Sequence, residues 1–390
     1  MPKYFVDLHV HIGATSQNKP VKITASPRLT FLNIIKECVE SKGIDMVGIV
    51  DCASPGIRED IKNLFKNGEL EELSGGGWRY RNKVTIIPGV EVESSEKTGG
   101  RGHFLSFFPG LKELEVYSSF LNKHIKNLHL STQQSYLTAQ ELLRVTQDQA
   151  GIFIPAHVFT PYKSLYGSCG SSLKEVFPQS YFEIKTIELG LSSDTQMADT
   201  IYELRDVTFL SNSDAHSLDK IGREYNLIEM EDATFQGLKK ALRKEEGKVL
   251  ANYGLDPKLG KYHQSFCEHC QKNIPWLGTG YCPLCNGTKI VKGVRDRILE
   301  ISNGERKSPP DRPPYIHQIP LLFLPQVGKR TLNKLLAHFG TEMQVLHYTP
   351  YEELEKVVGG KIASLIILSR EGKLSVVTGG GGIYGKVVKI

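Results

Sequence analysis

Eight side chains able to hold a metal ion arrive in short bursts along the first 220 residues of this 390-residue chain. The bursts are Asp7-Leu8-His9-Val10-His11, Gly89-Val90-Glu91, Gly102-His103-Phe104-Leu105, Pro155-Ala156-His157 and Ser213-Asp214-Ala215-His216. Imidazole and carboxylate together suit zinc, manganese or iron, and ligands drawn from five separate places can surround more than one ion. A carboxylate such as Glu91 can bridge two ions. Such a pair can activate a water and stabilise the leaving oxygen of a phosphate ester. No Ser/His or Cys/His nucleophile arrangement competes with this reading.

The elements that must position these residues are short apolar runs that read as buried strands: Tyr4 to Val6, Val84 to Ile87, Gly151 to Ile154 and Val207 to Leu210. Each burst is expected to follow its strand, which is where an α/β barrel gathers an active site. The barrel is expected over residues 1–254. No apolar run reaches membrane-spanning length and the N-terminus opens directly on the first strand, so a cytoplasmic protein is expected.

The formal charge of +5 is unevenly placed. From Leu255 onward there are 19 Lys and Arg against 11 Asp and Glu, a net +8, which leaves −3 on residues 1–254. The last third is therefore the part suited to a polyanion. Four of the seven cysteines form Cys267-x-x-Cys270 and Cys282-x-x-Cys285, a spacing that presents four thiolates to one structural zinc and defines a small domain at 255–295.

Residues 296–390 read as a mainly helical region. Ser308-Pro-Pro-Asp-Arg-Pro-Pro314 is a stiff connector. Leu324-Pro-Gln-Val-Gly-Lys329 before an amphipathic run is similar to a helix-hairpin-helix, in which backbone N–H groups at a helix start meet a DNA phosphate and Lys329 and Arg330 add countercharge beside Gly328. A second, poorer copy is placed at Leu354 to Leu365, with Gly360 and Lys361 as its contacts. The tail, Gly379 to Gly382 and then Ile383-Tyr384-Gly385, is either a close approach to a backbone or a flexible hairpin.

The ligand order resembles the polymerase-and-histidinol-phosphatase (PHP) family of metal-dependent phosphoesterases, which implies a distorted (β/α)7 barrel. By that resemblance His9, His11, Glu91 and Asp214 hold one ion, Glu91, His103 and His157 a second, and His216 belongs to a third. The third ion's usual partners fall near Gln17 and at Cys52, and Asp51 beside Cys52 is counted among the ligands. Two or three divalent ions (Zn, Mn or Mg) are thus expected in the barrel. Glu91, Asp214 and His216 are the expected catalytic residues, with His216 either a ligand or a proton donor to the leaving oxygen.

Together with Ile187-Glu-Leu-Gly-Leu-Ser-Ser-Asp194, Leu210-Ser-Asn-Ser-Asp-Ala-His-Ser217 and Gly222-Arg-Glu224, the order barrel, four-cysteine unit, helical end is similar to the endonuclease Q family over essentially the whole chain. That resemblance implies a monomeric repair enzyme, cytoplasmic and nucleoid-associated, that nicks double-stranded DNA on the 5′ side of uracil, hypoxanthine, xanthine and abasic sites. A base inspected this way is flipped out of its stack, and Phe159, Tyr162 and Tyr166 are the candidates to receive it. A phosphatase of small phosphate monoesters or a non-catalytic DNA-binding scaffold are the competing readings.

Overall fold

In a computed structural model the chain is described over residues 1–302 and 308–388. Strand β1 (Lys3–Val10) pairs in parallel with β2 (Met46–Ile49). The hairpin β3 (Leu70–Glu72) and β4 (Trp78–Tyr80) leads into the long β5 (Val84–Glu93), which pairs in parallel with β2. Then come β6 (His103–Phe107), β7 (Ile152–Pro155), β8 (Thr186–Glu188) and β9 (Thr208–Leu210). The chain past β9 returns to β1 through a parallel bridge between Val10 and Ala215. The circuit β1-β2-β5-β6-β7-β8-β9 closes a distorted seven-stranded barrel of the kind the resemblance implies.

One strand departs from the sequence expectation. Strand β6 runs antiparallel to both β5 and β7, so His103 opens its strand instead of ending it. Reversal puts the start of β6 at the same barrel end as the finishes of β5 and β7, and His103 joins the other ligands. An apolar cluster of Val6, Leu8, Met46, Ile87, Leu105, Ile154 and Leu210 draws on six of the seven strands and is covered by Phe235, Leu238 and Leu242 of the helix Phe235–Leu242. That helix carries its apolar residues at a spacing of three and four, which turns one face to the sheet.

The barrel sheet extends from β1 through β10 (Tyr225–Glu229) and β11 (Lys248–Gly254). Beyond it, β12 (Phe266–Cys267), β13 (Lys272–Asn273) and β14 (Ile290–Val291) form a three-stranded ribbon that carries the four cysteines. Strand β15 (Tyr315–His317) then returns to pair with β11, so the helical region is sewn to the barrel sheet. Four helices follow, Lys329–Phe339, Glu342–His347, Tyr351–Val358 and Gly360–Arg370, packed on Leu335, Leu354, Ala363 and Ile366. Among the described residues no helix is long and apolar enough to cross a membrane.

Candidate metal centre

Glu91 stands at the middle of the site, buried near the end of β5. Its Oε1 lies 3.4 Å from His9 Nε2, 3.0 Å from His103 Nδ1 and 3.7 Å from His157 Nε2. Its Oε2 lies 3.5 Å from His11 Nε2. His9 and His11 alternate along β1 and so emerge on one face, with their Nε2 atoms 3.3 Å apart. Asp214 Oδ1 completes that side at 3.6 Å and 3.4 Å from the two nitrogens. The structure thus brings together two groups, His9, His11 and Asp214, and Glu91, His103 and His157, each with its donor atoms within 4.8 Å of one another.

These residues fit cations. Glu91 Oε1 is a buried acceptor with no hydrogen-bond partner, encircled by imidazole nitrogens, an arrangement that costs free energy unless a cation satisfies it. Burial alone would push the Glu91 carboxyl up, but His103, Lys22 and His11 outweigh it and hold the group well below its usual range. Burial would likewise depress His9, yet Glu188 and Asp214 raise it well above the ordinary imidazole value. The centre is electron-rich and favours positive charge.

Backbone strain marks two of these candidate ligands. His157 has φ +31° and Asp214 φ +44°, conformations that cost of order 1–3 kcal/mol for such residues. Close packing holds them: a Cβ on Gly190 would come within 2.8 Å of His157 Cβ. Arg223 donates from Nε to Ser213 O at 2.7 Å and from NH2 to Asp214 O at 3.3 Å, while Asp7 accepts the Ser213 and Gly222 N–H groups at 3.0 Å and 2.9 Å. Asp7 therefore fastens the turn and is not among the ligand groups.

The other candidates take different places. Asp51 sits behind His11, its Oδ2 3.0 Å from Nδ1, where a carboxylate orients the ring and leaves Nε2 for the ion. Cys52 is buried and donates to Ile49 O. The His216 ring lies 4.6 Å from that of His11 between centroids, tilted by 55°, and burial with the His11 charge pushes its pKa down to about 4. That favours the neutral ring at neutral pH, which has a nitrogen able to ligate. Phe159 and Tyr166 are not available to a flipped base: both are buried and stack on each other at 5.3 Å, because their loop turns inward and Tyr166 OH is spent on Glu203 at 2.8 Å. Tyr162 is half-exposed.

The four cysteines converge as the spacing implies. Cys267 and Cys285 sulfurs are 3.7 Å apart and Cys270 and Cys282 sulfurs 3.8 Å apart, all four free. A tetrahedron with metal–sulfur bonds of about 2.3 Å has edges of about 3.8 Å, whereas a disulfide needs about 2.05 Å. In the helical region Gly328 starts the helix Lys329–Phe339 and Gly359 the helix Gly360–Arg370, and a Cβ on either would meet open space. Both turn–helix units leave their basic residues Lys329, Arg330 and Lys361 exposed.

Comparison with known proteins bears on what this geometry is for. A PHP-associated domain profile matches residues 193–246, which span Asp214, His216 and Arg223. An uncharacterized protein of Bacillus subtilis, YqxK, is 47% identical and covers 99% of this chain and 100% of its own length. The crystal structure of PfuEndoQ, a lesion-specific endonuclease from Pyrococcus furiosus, superposes with a TM-score of 0.85 at 33% identity over 99% of this chain and 95% of that one. The chain belongs to the endonuclease Q family. A second endonuclease Q structure, a complex with a 27-mer duplex substrate that has an abasic lesion at the active site, superposes with a TM-score of 0.84 at 33% identity over 99% and 96% of the two chains.

Several residues of this endonuclease Q relative escape the ligand bursts. Glu188 ends β8, where it receives His9 Nδ1 at 2.9 Å, Asn212 Nδ2 at 2.9 Å and the His157 N–H at 3.1 Å. Its only sequence signal is a carboxylate at a strand end. Arg223 and Tyr384 lie in stretches singled out above without a role of their own, and Lys22 gives no signal. Tyr384 comes from the glycine-rich tail, which lies close against the chain after β11: Gly379 N–H donates to Lys258 O at 2.7 Å and Gly385 N–H to Leu259 O at 3.0 Å. A Cβ on Gly380 would fall 2.0 Å from Asn273, so the tail is a close approach. It brings the Tyr384 hydroxyl 3.1 Å from Arg223 NH1.

Proposed function

We propose that this protein is a metal-dependent DNA repair endonuclease that hydrolyses the phosphodiester 5′ to deaminated bases (uracil, hypoxanthine, xanthine) and abasic sites. The observation that carries the reading is the pair of three-ligand groups sharing the neighbourhood of Glu91, at the mouth of a barrel joined to a four-thiolate ribbon and a basic helical end. The family's lesion-specific activity and the abasic-lesion complex of a relative support it. Two divalent ions (zinc, manganese or magnesium), when bound at these ligands, supply an activated water and charge neutralisation at the phosphate.

The chain's own residues set the geometry. Arg223 and Asp7 fix the turn that aims Asp214, Glu188 orients His9, and Asp51 orients His11. A cavity of about 430 Å3 opens beside His157, Asp214 and His216 and is walled by Tyr162, Tyr262, Lys261, Arg223 and Tyr384. This volume, with aromatic faces and donors, suits a nucleobase extruded from a duplex. The exposed N-termini at Gly328 and Gly359, with Lys329, Arg330 and Lys361, are assigned to phosphates of the flanking duplex. The four thiolates are assigned to a structural zinc. The enzyme would act as a monomer on the chromosome, in the cytoplasm.

The test is incubation of end-labelled duplexes bearing uracil, hypoxanthine, xanthine, an abasic site or no lesion, with magnesium, manganese or zinc. Nicks 5′ to the lesions and none in the control duplex are expected. Release of phosphate from small monoesters without nicking, or inactivity with every metal, would refute the reading.

A further inference from the structure

Lys22 belongs to no ligand burst, yet its ammonium is built into the centre. The loop that carries it is tied back onto the end of β1: Lys22 N–H donates to Ile12 O and Val21 N–H to Gly13 O, both at 2.9 Å. Lys22 Nζ donates to Glu91 Oε2 at 3.0 Å and to the Thr132 hydroxyl, which itself donates to Glu91 Oε2 at 2.7 Å. The Lys22 side chain is only 12% exposed. Thr132 holds its position at φ +48°, a conformation that a β-branched residue rarely adopts. Its segment is fixed from the Lys22 loop by Ser131 N–H on Val21 O at 3.0 Å. Strain of this kind persists only where surrounding contacts impose it.

An ammonium has three N–H donors. Two are spent on Glu91 and Thr132, and among the described residues no third acceptor bonds to Lys22. Lys22 also lines a cavity of about 420 Å3 together with His11, Glu91, His103, His157 and Asp214, so this donor and its charge border the space beside the ligands. Lys163 borders it too, but is half-exposed and committed to Glu93 at 2.7 Å. Lys22 meets both the Glu91 carboxylate and the cavity.

We propose that Lys22 is a catalytic residue, a fixed ammonium that contacts a non-bridging oxygen of the phosphate being cleaved and stabilises the charge that grows there. The proposal rests on the endonuclease reading above. Lys22 keeps its proton throughout and forms no covalent bond; it adds to the site a cation that does not exchange with solution.

The experiment compares wild type, Lys22→Met and Lys22→Arg as full-length, manganese-loaded proteins, with inorganic phosphate as the binding probe. Lys22→Met should keep the wild-type metal content by elemental analysis. Its Kd for phosphate should rise about tenfold and its single-turnover nicking rate fall about a hundredfold, the range for losing a charged hydrogen bond to a transition-state oxygen. Lys22→Arg should keep phosphate affinity within about threefold, since the charge is retained. Loss of a barrel ion in Lys22→Met would overturn the proposal, because Lys22 would then serve only to balance Glu91, and unchanged phosphate affinity would overturn it equally. If Lys22→Met does not fold, Lys22→Gln, which keeps a polar end without the charge, decides: a phosphate Kd raised about tenfold with the metals bound supports the role, and an unchanged Kd removes it. Should wild type nick no lesion duplex, the endonuclease reading falls while the phosphate comparison still judges Lys22.

Discussion

Glu188→Gln is the sharpest perturbation of the centre, because the glutamine matches the glutamate in size and differs only in what its two ends can accept. The carboxylate accepts three hydrogen bonds, from His9 Nδ1 and Asn212 Nδ2 on Oε2 and from the His157 N–H on Oε1. An amide offers one oxygen and one NH2, so either orientation sets a donor against a donor. With the NH2 toward His9, Nδ1 must become an acceptor and the proton moves to Nε2, the atom that faces His11, Glu91 and Asp214. His9 then has no lone pair for an ion. With the NH2 toward His157, a strained residue at φ +31° loses the acceptor that anchors its backbone. Loss of an outer partner of this kind costs about 10- to 100-fold in metal affinity, or about 1.4–2.7 kcal/mol. Manganese affinity is read by competition with a chromogenic chelator, and nicking is followed as metal is raised. Activity in Glu188→Gln should return toward wild type at saturating manganese. Unchanged metal affinity would refute the account of His9, and a deficit that saturating metal does not repair would show that Glu188 acts on the substrate.

Asp214→Asn should lower nicking by at least about a thousandfold while the Kd for a lesion duplex, measured by fluorescence anisotropy, stays within about threefold, since it removes a ligand charge and leaves the basic helices untouched. Cys282→Ser should release the thiolate-bound ion to a chelator and lower the melting temperature, because coordination energy is folding energy here; a fully stable variant would contradict the structural zinc. The pair Arg330→Glu and Lys361→Glu should weaken damaged and undamaged duplexes alike and flatten the slope of log K against log salt by about 2, one unit for each phosphate that no longer meets a cation. A variant that binds undamaged DNA normally but loses preference for the lesion would reassign recognition to the helical end.

The clustering of the candidate ligands was legible because their chemistry and strand-end spacing coincide: His9 and His11 share a face by strand periodicity alone, and Glu91, His157 and Asp214 each stand at or just past a buried strand. What failed was direction. Nothing in Gly102-His103-Phe104-Leu105 distinguishes a strand that ends at His103 from one that begins there, and only the antiparallel pairing of β6 with β5 and β7 shows it. The base-pocket assignment held for only one of its three residues, for a related reason. Aromatic residues in a loop read as exposed, but Phe159 and Tyr166 bury each other, and Tyr162 lines the cavity with Tyr262 and Tyr384, which lie about 100 and 220 residues further along. Glu188 serves through its partners and Lys22 reaches the centre from a loop, and neither placement leaves a spacing to read.

The division into an acidic barrel that reads the lesion and a detachable basic module that grips the duplex is too simple for this structure. Strand β15 is an edge of the barrel sheet, paired to β11 at Asn252, Tyr253 and Gly254. The helix Glu342–His347 is locked to the barrel by a buried Lys42–Glu342 ion pair at 2.7 Å and by His347, which packs at 4.6 Å on Phe5 and meets the Tyr225 hydroxyl at 2.6 Å. Breaking a buried pair of this kind costs about 3–5 kcal/mol, so cutting the chain at Ser308 would damage the barrel along with duplex affinity. The tail carries the connection to the chemistry itself: Tyr384 touches Arg223, and Arg223 holds the carbonyls of Ser213 and Asp214. A displacement of the ribbon and tail against the barrel therefore bears on the strained turn that aims a ligand. Duplex contacts made far from the metal centre have, through this path, a physical means of reaching it.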